Sequence, residues 1–154
     1  MSYVQRVLQP GETLIYQTRL HWLVYARAIG LVIVAAALAA GASSITTAEL
    51  QMLLWAGAGG VLVLGLIAGI AAGLRRASTE LAVTDHRVIY KRGIIGRFTI
   101  EMARSKVESV DVVQSFLGRV FNFGTILVRG TGGSLEPFRD VEDPLRLRSA
   151  IIAQ

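Results

Sequence analysis

Residues 28–48, AIGLVIVAAALAAGASSITTA, and residues 50–74, LQMLLWAGAGGVLVLGLIAGIAAGL, contain no charged side chain, and Glu49 alone separates them. About 20 apolar residues of helix cross a bilayer hydrocarbon core. Two such lengths stand back to back, and the polar break at 43–49 is long enough only for a turn. The pattern predicts a two-helix transmembrane hairpin over residues 21–76, with spans at about 22–42 and 50–74. Trp22 and Tyr25 suit the headgroup layer, since each joins an apolar ring to a polar edge. Arg19 and Arg27 before and within the first turns, and Arg75 and Arg76 after the second run, can reach outward to lipid phosphates. His21, beside Trp22, reads as another interfacial residue. Thr46 and Glu49 have capping-box spacing, so Thr46 is the expected N-cap of the second helix, and the acid suits a helix N-terminus.

Charge placement orients the hairpin. Of 16 Lys and Arg residues in the 154-residue chain, Arg6, Arg19 and Arg27 precede the first run, none lies in 43–49, and the other 13 lie in 75–154. Basic flanks stay on the cytoplasmic side and a loop without them crosses, so both termini are expected to be cytoplasmic. The net charge of +5 follows from that rule, with attraction to anionic lipid as a second contribution. Acidic residues are scattered among the basic ones outside the runs, which argues against nucleic acid as a partner. There is no cysteine, which excludes a disulfide scaffold or a thiolate site. The first run follows more than twenty polar-rich residues without a small-residue cleavage site, so no cleaved signal peptide is expected.

Within the second run, Gly65, Gly69 and Gly73 recur every four residues and make one smooth helical face, widened by Ala68 and Ala72. Such a face permits close backbone approach, either to the first helix or to another copy of the chain. The first helix is favoured because Ala35, Ala36, Ala39 and Ala40 give it small residues too. Neither span carries an ionisable group in its interior, whereas a transport path usually needs one. Anchoring is therefore the main reading; an oligomer whose helices form a lipid or ion path is the alternative.

Beyond Thr79 the periodicity shortens to that of strands. Residues 81–84, 87–92, 97–101, 106–114, 125–129 and 135–141 are short β-prone stretches, separated by turns at 84–86, 93–96 and 130–133. Residues 115–121 have the pattern of one helical turn bearing Phe116, Leu117, Val120 and Phe121. Asp143-Pro144 reads as a helix cap followed by a first helical residue, opening a closing helix with Leu147 and Ile151 on its apolar face. Before the first apolar run, residues 12–20 follow the Pro10-Gly11 turn and carry Leu14, Ile15 and Tyr16. They are a further strand candidate, which would make the hairpin an insertion between the first and second strands of one domain. Strands at this spacing point to a small barrel or sandwich.

The stretch LAVTDHRVIYKRGIIGRFTIEMARSKVESVDVVQSFLGRVFNFGTILVRGTGG, residues 81–133, resembles the bacterial pleckstrin-homology (PH) domain of the YdbS-like membrane protein family. TDHRVIYKRG, SKVESVDVVQ, LGRVFNFGTILV and the later VEDPLRL carry the likeness, and LQPGETLIYQTRLHW resembles that family's segment before its hairpin. The resemblance implies an α+β chain: a seven-strand PH-like barrel closed by a C-terminal helix, formed by residues 79–154 with residues 1–20 contributing a strand. It also implies a bacterial inner-membrane location.

No catalytic set emerges. Asp85-His86-Arg87 reads as a polar turn between strands rather than an acid–base trio. Ser105-Lys106 is rejected as a dyad because neighbours in an extended segment point to opposite sides. Two histidines and no cysteine make no usual metal set, and Gly130-Thr131-Gly132-Gly133 lacks the lysine and helix of a phosphate loop. No cofactor is expected. The main site candidate is the turn bearing Lys91, Arg92, Ile94, Ile95 and Arg97, where three basic residues flank two isoleucines. Its readings are a loop that dips into lipid headgroups and an ordinary hairpin whose isoleucines pack on a neighbour. The functional expectation is a membrane-anchored scaffold or interaction module, not an enzyme, with membrane lipid, another membrane protein or a second copy as partner.

Overall fold

A computed structural model describes residues 4, 7–93, 96, 98–131, 133–134 and 137–153. The chain divides into two compact units, residues 22–74 and the combined segments 1–21 and 75–154.

The first unit is a helical pair. A 3-10 turn, Trp22–Tyr25, leads into α1 (Ala26–Ser43), and α2 (Ala48–Ser78) follows a short loop. Trp22–Ser43 and Ala48–Ser78 are long and apolar enough to cross a membrane, with mean hydropathy 2.2 in each. The buried hydrophobic positions within the pair are alanines: Ala28, Ala35, Ala42 and Ala58. The large side chains face outward, with Leu53 67%, Ile33 62% and Ile70 64% exposed. Small residues line the inter-helix seam, where the helices approach closely enough that an added Cβ would already touch the neighbouring segment. A Cβ on Gly65 would stand 3.3 Å from both Leu31 Cβ and Val32 Cγ2; one on Gly69 would stand 3.6 Å from Ala28 Cβ; one on Gly73 would stand 3.3 Å from Tyr25 Oη. The second helix starts one residue later than the capping-box reading requires. Gln51 N–H donates to Thr47 O at 3.0 Å, so Thr47 rather than Thr46 precedes the first helical residue, and Glu49 remains in the first turn.

The second unit is a mixed domain of two four-stranded antiparallel sheets. In the first, β1 (Leu14–Arg19) pairs with β2 (Glu80–Thr84), β2 with β3 (Arg87–Arg92), and β3 with β4 (Phe98–Ala103). In the second, β5 (Val107–Val113) pairs with β6 (Phe123–Gly130), and β6 also pairs with the two-residue β7 (Gly133–Ser134) and with β8 (Phe138–Glu142). Short α3 (Phe116–Val120) joins β5 to β6, and α4 (Pro144–Ile152) closes the domain.

Among the described residues the sheets do not close into the barrel expected from the sequence. A 3-10 turn at Arg104–Lys106 takes the chain round the corner from β4 to β5. At the other corner, Leu20, just after β1, bridges Val141 of β8, and the Thr18 hydroxyl donates to Glu142 O at 2.8 Å. Ser105 and Lys106 therefore lie in a tight turn, not the extended segment anticipated. Arg104 secures that corner, donating to the carbonyls of Ala150, Ile151 and Ala153 at the end of α4, where helix carbonyls lack partners. The start of α4 is as the sequence suggested: Pro144 opens it and Asp143 accepts from Arg146 N–H.

Strand alternation builds the core. Leu81, Val83, Val88, Tyr90, Val110, Ile126, Val128, Phe138 and Val141 converge with Leu147 and Ile151 of α4. The first sheet is covered on its other face as well, since Ala82 and Ile89, partners in register, are both fully buried. That second layer draws on the N-terminal segment. Arg87 donates through Nε to Glu12 Oε1 at 2.9 Å, through a terminal nitrogen to Glu12 Oε2 at 2.8 Å and Val7 O at 2.9 Å, and through the other to Glu101 Oε2 at 2.6 Å. Thr84 Oγ1 adds a bond to Glu12 Oε1 at 2.7 Å. The Glu12 side chain is only 3% exposed.

Hydrogen bonding to Arg87 holds the Glu12 carboxyl at about 2, below its ordinary 4.5, against the opposing effect of burial; Gln9 N–H and the Thr84 hydroxyl assist. A carboxyl so depressed contributes about 3 kcal/mol of stability. That contribution is complete above pH 4.5 and is lost as pH falls through about 2. Glu12→Gln in the full chain should therefore lower stability at neutral pH by about 2–3 kcal/mol and flatten the loss between pH 4.5 and 2. Chemical unfolding in mild detergent at stepped pH measures both; equal stability and equal acid sensitivity would refute the role. In the helical pair, Gly65→Leu should destabilise by roughly 1–3 kcal/mol through overpacking. Gly57→Leu, where nothing lies within 4 Å of the added Cβ, should be nearly neutral. Titration of the micellar protein with a denaturing detergent, followed by circular dichroism, separates the two.

Candidate functional site

The edge of the mixed domain where the chain leaves at Leu20 and returns at Arg75 holds a cavity of about 320 Å³. It is lined by Leu20, Arg75, Thr79, Tyr90, Arg92, Pro137 and Arg139. Three separate elements bring the arginines together. Arg75 belongs to the last turn of α2. Its carbonyl accepts from the Ser78 and Thr79 hydroxyls, which closes that helix end. Arg92 is the last residue of β3 and follows Tyr90 by two, so both point to one face of the strand. Tyr90 lies inward with its ring 4.2 Å from that of Phe138, and Arg92 stays exposed beyond it.

Arg139 is placed by a bulge. Ile126 pairs with Phe138 and Gly124 with Val141, so Arg139 and Asp140 together oppose Thr125 alone. Asp140 has φ 59°, the left-handed region that aspartate tolerates better than most residues. Phe138 and Val141 both remain 2% exposed while the two residues between them turn out. Bulges re-aim side chains in this way. Asp140 meets Arg75 at 3.3 Å, an ion pair with both side chains about half exposed, so its contribution to stability is small. No ion pair engages Arg92 or Arg139 among the described residues.

The residues singled out from the sequence scatter differently. Arg92 lines the cavity; Lys91 is half-buried and opposite Glu80 in register. Ile94, Ile95 and Arg97 lie outside the described residues. Arg75 and Arg76 diverge: Arg75 lines the cavity, while Arg76 Nε donates to Leu20 O at 3.0 Å, tying the returning chain to the departing one. Arg19 is exposed at the end of β1, opposite Glu80. Trp22, 45% exposed, Tyr25 and exposed Arg27 belong to the helical unit. Gly65 and Gly69 face α1, and Gly73 faces Tyr25 of the 3-10 turn before it.

His21 departs from the interfacial expectation. It is 4% exposed, its ring stacks on Phe123 at 5.3 Å, and its backbone N–H donates to the Asp140 backbone carbonyl at 2.7 Å. The bridge from Leu20 to Val141 of β8 carries on into the His21–Asp140 backbone bond, so His21 is drawn into the domain. His86 pairs with Asp85 at 2.8 Å. That contact, with Thr13 N–H as a second donor, lowers the Asp85 pKa. These are turn-stabilising roles.

Two features escaped sequence reading. One is Arg139, whose signal is the broken alternation in Phe138-Arg139-Asp140-Val141: two core residues three apart in a strand imply a bulge. The other is the exposure of the α3 turn, where Phe116 is 80%, Val120 61% and Leu117 56% exposed. The turn is held firmly, since Ser115 Oγ accepts from Gly118 N–H at 3.1 Å and Gln114 bridges to the carbonyls of Gly118 and Phe123.

No curated protein and no solved structure matches the chain. A family profile described as Bacterial PH domain does, over residues 20–154, which takes in both apolar helices, β2 to β8 and the closing helix. The chain belongs to the bacterial PH domain family.

Proposed function

We propose that the protein is a membrane-anchored PH-like interaction module: α1 and α2 cross the bilayer as a hairpin, and the mixed domain sits on the cytoplasmic face to hold a partner. One observation carries this reading. The apolar insertion begins and ends in the same folded domain, with Leu20 bridged to Val141 and Arg76 bonded to Leu20 O. A chain that leaves and re-enters one domain crosses a membrane an even number of times, and two helices supply two crossings. The outward-facing Leu, Ile and Val side chains run along both helices, from Ile29 to Val34 and from Leu50 to Leu74, and an extended apolar surface of this kind marks a membrane or protein contact. Basic residues flank both ends of the insertion and are absent from 43–49, which supports the cytoplasmic side for the domain.

The module reading is favoured over a catalytic one by how the titratable residues of the domain are used. Glu12 is committed to Arg87, and Asp85 to His86 and Thr13. The exposed, rigid α3 turn and the arginine-lined cavity are surfaces suited to contact. The absence of cysteine gives a direct topological test. Ser44→Cys and Ser149→Cys each place a thiol at an exposed position. A membrane-impermeant thiol reagent applied to intact cells should label the first and spare the second until the membrane is opened. The reverse pattern would invert the topology, and labelling of both would remove the hairpin.

A further inference from the structure

We propose that the cavity at Arg75, Arg92 and Arg139 binds one phosphate-bearing anion, with an anionic phospholipid headgroup as the source that its position favours. The lipid source rests on the membrane reading above; the anion chemistry does not.

Three arginines line a space of about 320 Å³, the lower end of the range for small-molecule sites. Among the described residues Asp140 is the acid paired there, through Arg75, which leaves the charges of Arg92 and Arg139 without an ion pair among those residues. Like charges drawn together repel, and an anion between them removes that repulsion while meeting donors in the planar fork that suits phosphate oxygens. Compensation of the helix dipole would account for Arg75 in the last turn of α2. It does not account for Arg92 on β3 or Arg139 on β8. The bulge at Asp140 directs Arg139 outward at the cost of a left-handed residue in a strand, a local strain that matters only where the side chain is wanted. The uncharged wall is made by Leu20, Thr79, Pro137 and Tyr90, and the Tyr90 ring packs on Phe138 at 4.2 Å. Finally, Leu20 and Arg75 adjoin the two ends of the apolar insertion. With the helices in a bilayer, this edge lies at headgroup depth, where basic side chains meet lipid phosphates.

The test uses the full chain in phosphatidylcholine nanodiscs containing a minor fraction of phosphatidylglycerol, with native mass spectrometry of the lipids that remain bound. The wild type should retain phosphatidylglycerol above its share. The double variant Arg92→Gln/Arg139→Gln removes two exposed charges and should weaken that retention roughly 30-fold. Asp140→Asn, which keeps a residue tolerant of positive φ, should strengthen it. Arg119→Gln, an exposed arginine on α3, should leave it unchanged. A second arm titrates detergent-solubilised protein with inorganic phosphate by calorimetry. Phosphate binding that vanishes in the double variant, with no lipid preference in nanodiscs, supports the site and assigns it a free anion. The proposal is overturned if neither probe binds, if the double variant binds both as the wild type does, or if Arg119→Gln costs as much as the double variant. Labelling of Ser44→Cys in intact cells, run on each variant, separates a failed site from a failed membrane reading: a normally inserted double variant with unchanged lipid retention condemns the site alone.

Discussion

The pairing of β1 with β2 is the contact on which the rest depends. Arg19 lies opposite Glu80 and Leu14 opposite Thr84, with the whole helical insertion between them in sequence. Arg87 and Glu12 lock the far end of that pairing, and Thr13 N–H reaches Asp85 across 72 residues. Without β1 the first sheet would end at β2, whose central residues are fully buried and whose unpaired edge would face solvent. The corner bridge to β8 would go as well.

Entropy allows such a long closure because the intervening chain is two packed helices rather than free coil, and loop cost rises only slowly with length. The closure also has a geometric consequence. It brings the residues just before and just after the apolar insertion to one edge of one domain. Arg75, in an apolar helix's last turn, thereby joins Arg92 and Arg139 from two different sheets. The cavity is a product of the insertion point, and a domain built from residues 79–154 alone would lack Leu20 and the helix end that form one side of it.

The same coupling explains why His21 and Arg76 behave differently from their neighbours. In sequence they look like the flanks of a membrane span, beside Trp22 and Arg75. In the fold, the chain just after β1 runs on along β8 as far as His21, which packs on Phe123, and Arg76 is spent on Leu20 O. Trp22, Arg27 and Arg75 keep the exposed character that their composition implied. Flanking residues are sorted by which strand or helix end captures them, and composition alone does not carry that information.

Sequence by itself determined the two apolar helices, because 21 and 25 uncharged residues in a row have few other stable states. It determined most of the strands, since alternation such as that of Arg87–Arg92 is a local property, and it determined the start of the closing helix through Asp143-Pro144, whose capping chemistry is also local. It placed Thr46 at a cap that Thr47 occupies, because such boundaries turn on a single hydrogen bond. What only the tertiary structure decided was non-local. It set two sheets meeting at corners in place of a closed barrel, because β4 and β5 are separated by the Arg104–Lys106 turn and the end of β1 meets β8 at a corner bridge, not along a strand ladder. It seated the glycine face of α2 on α1, a choice that spacing left open between helix and copy. And it assembled the arginine cavity, whose members stand far apart in sequence and come together only because the strand before the insertion pairs with the strand after it.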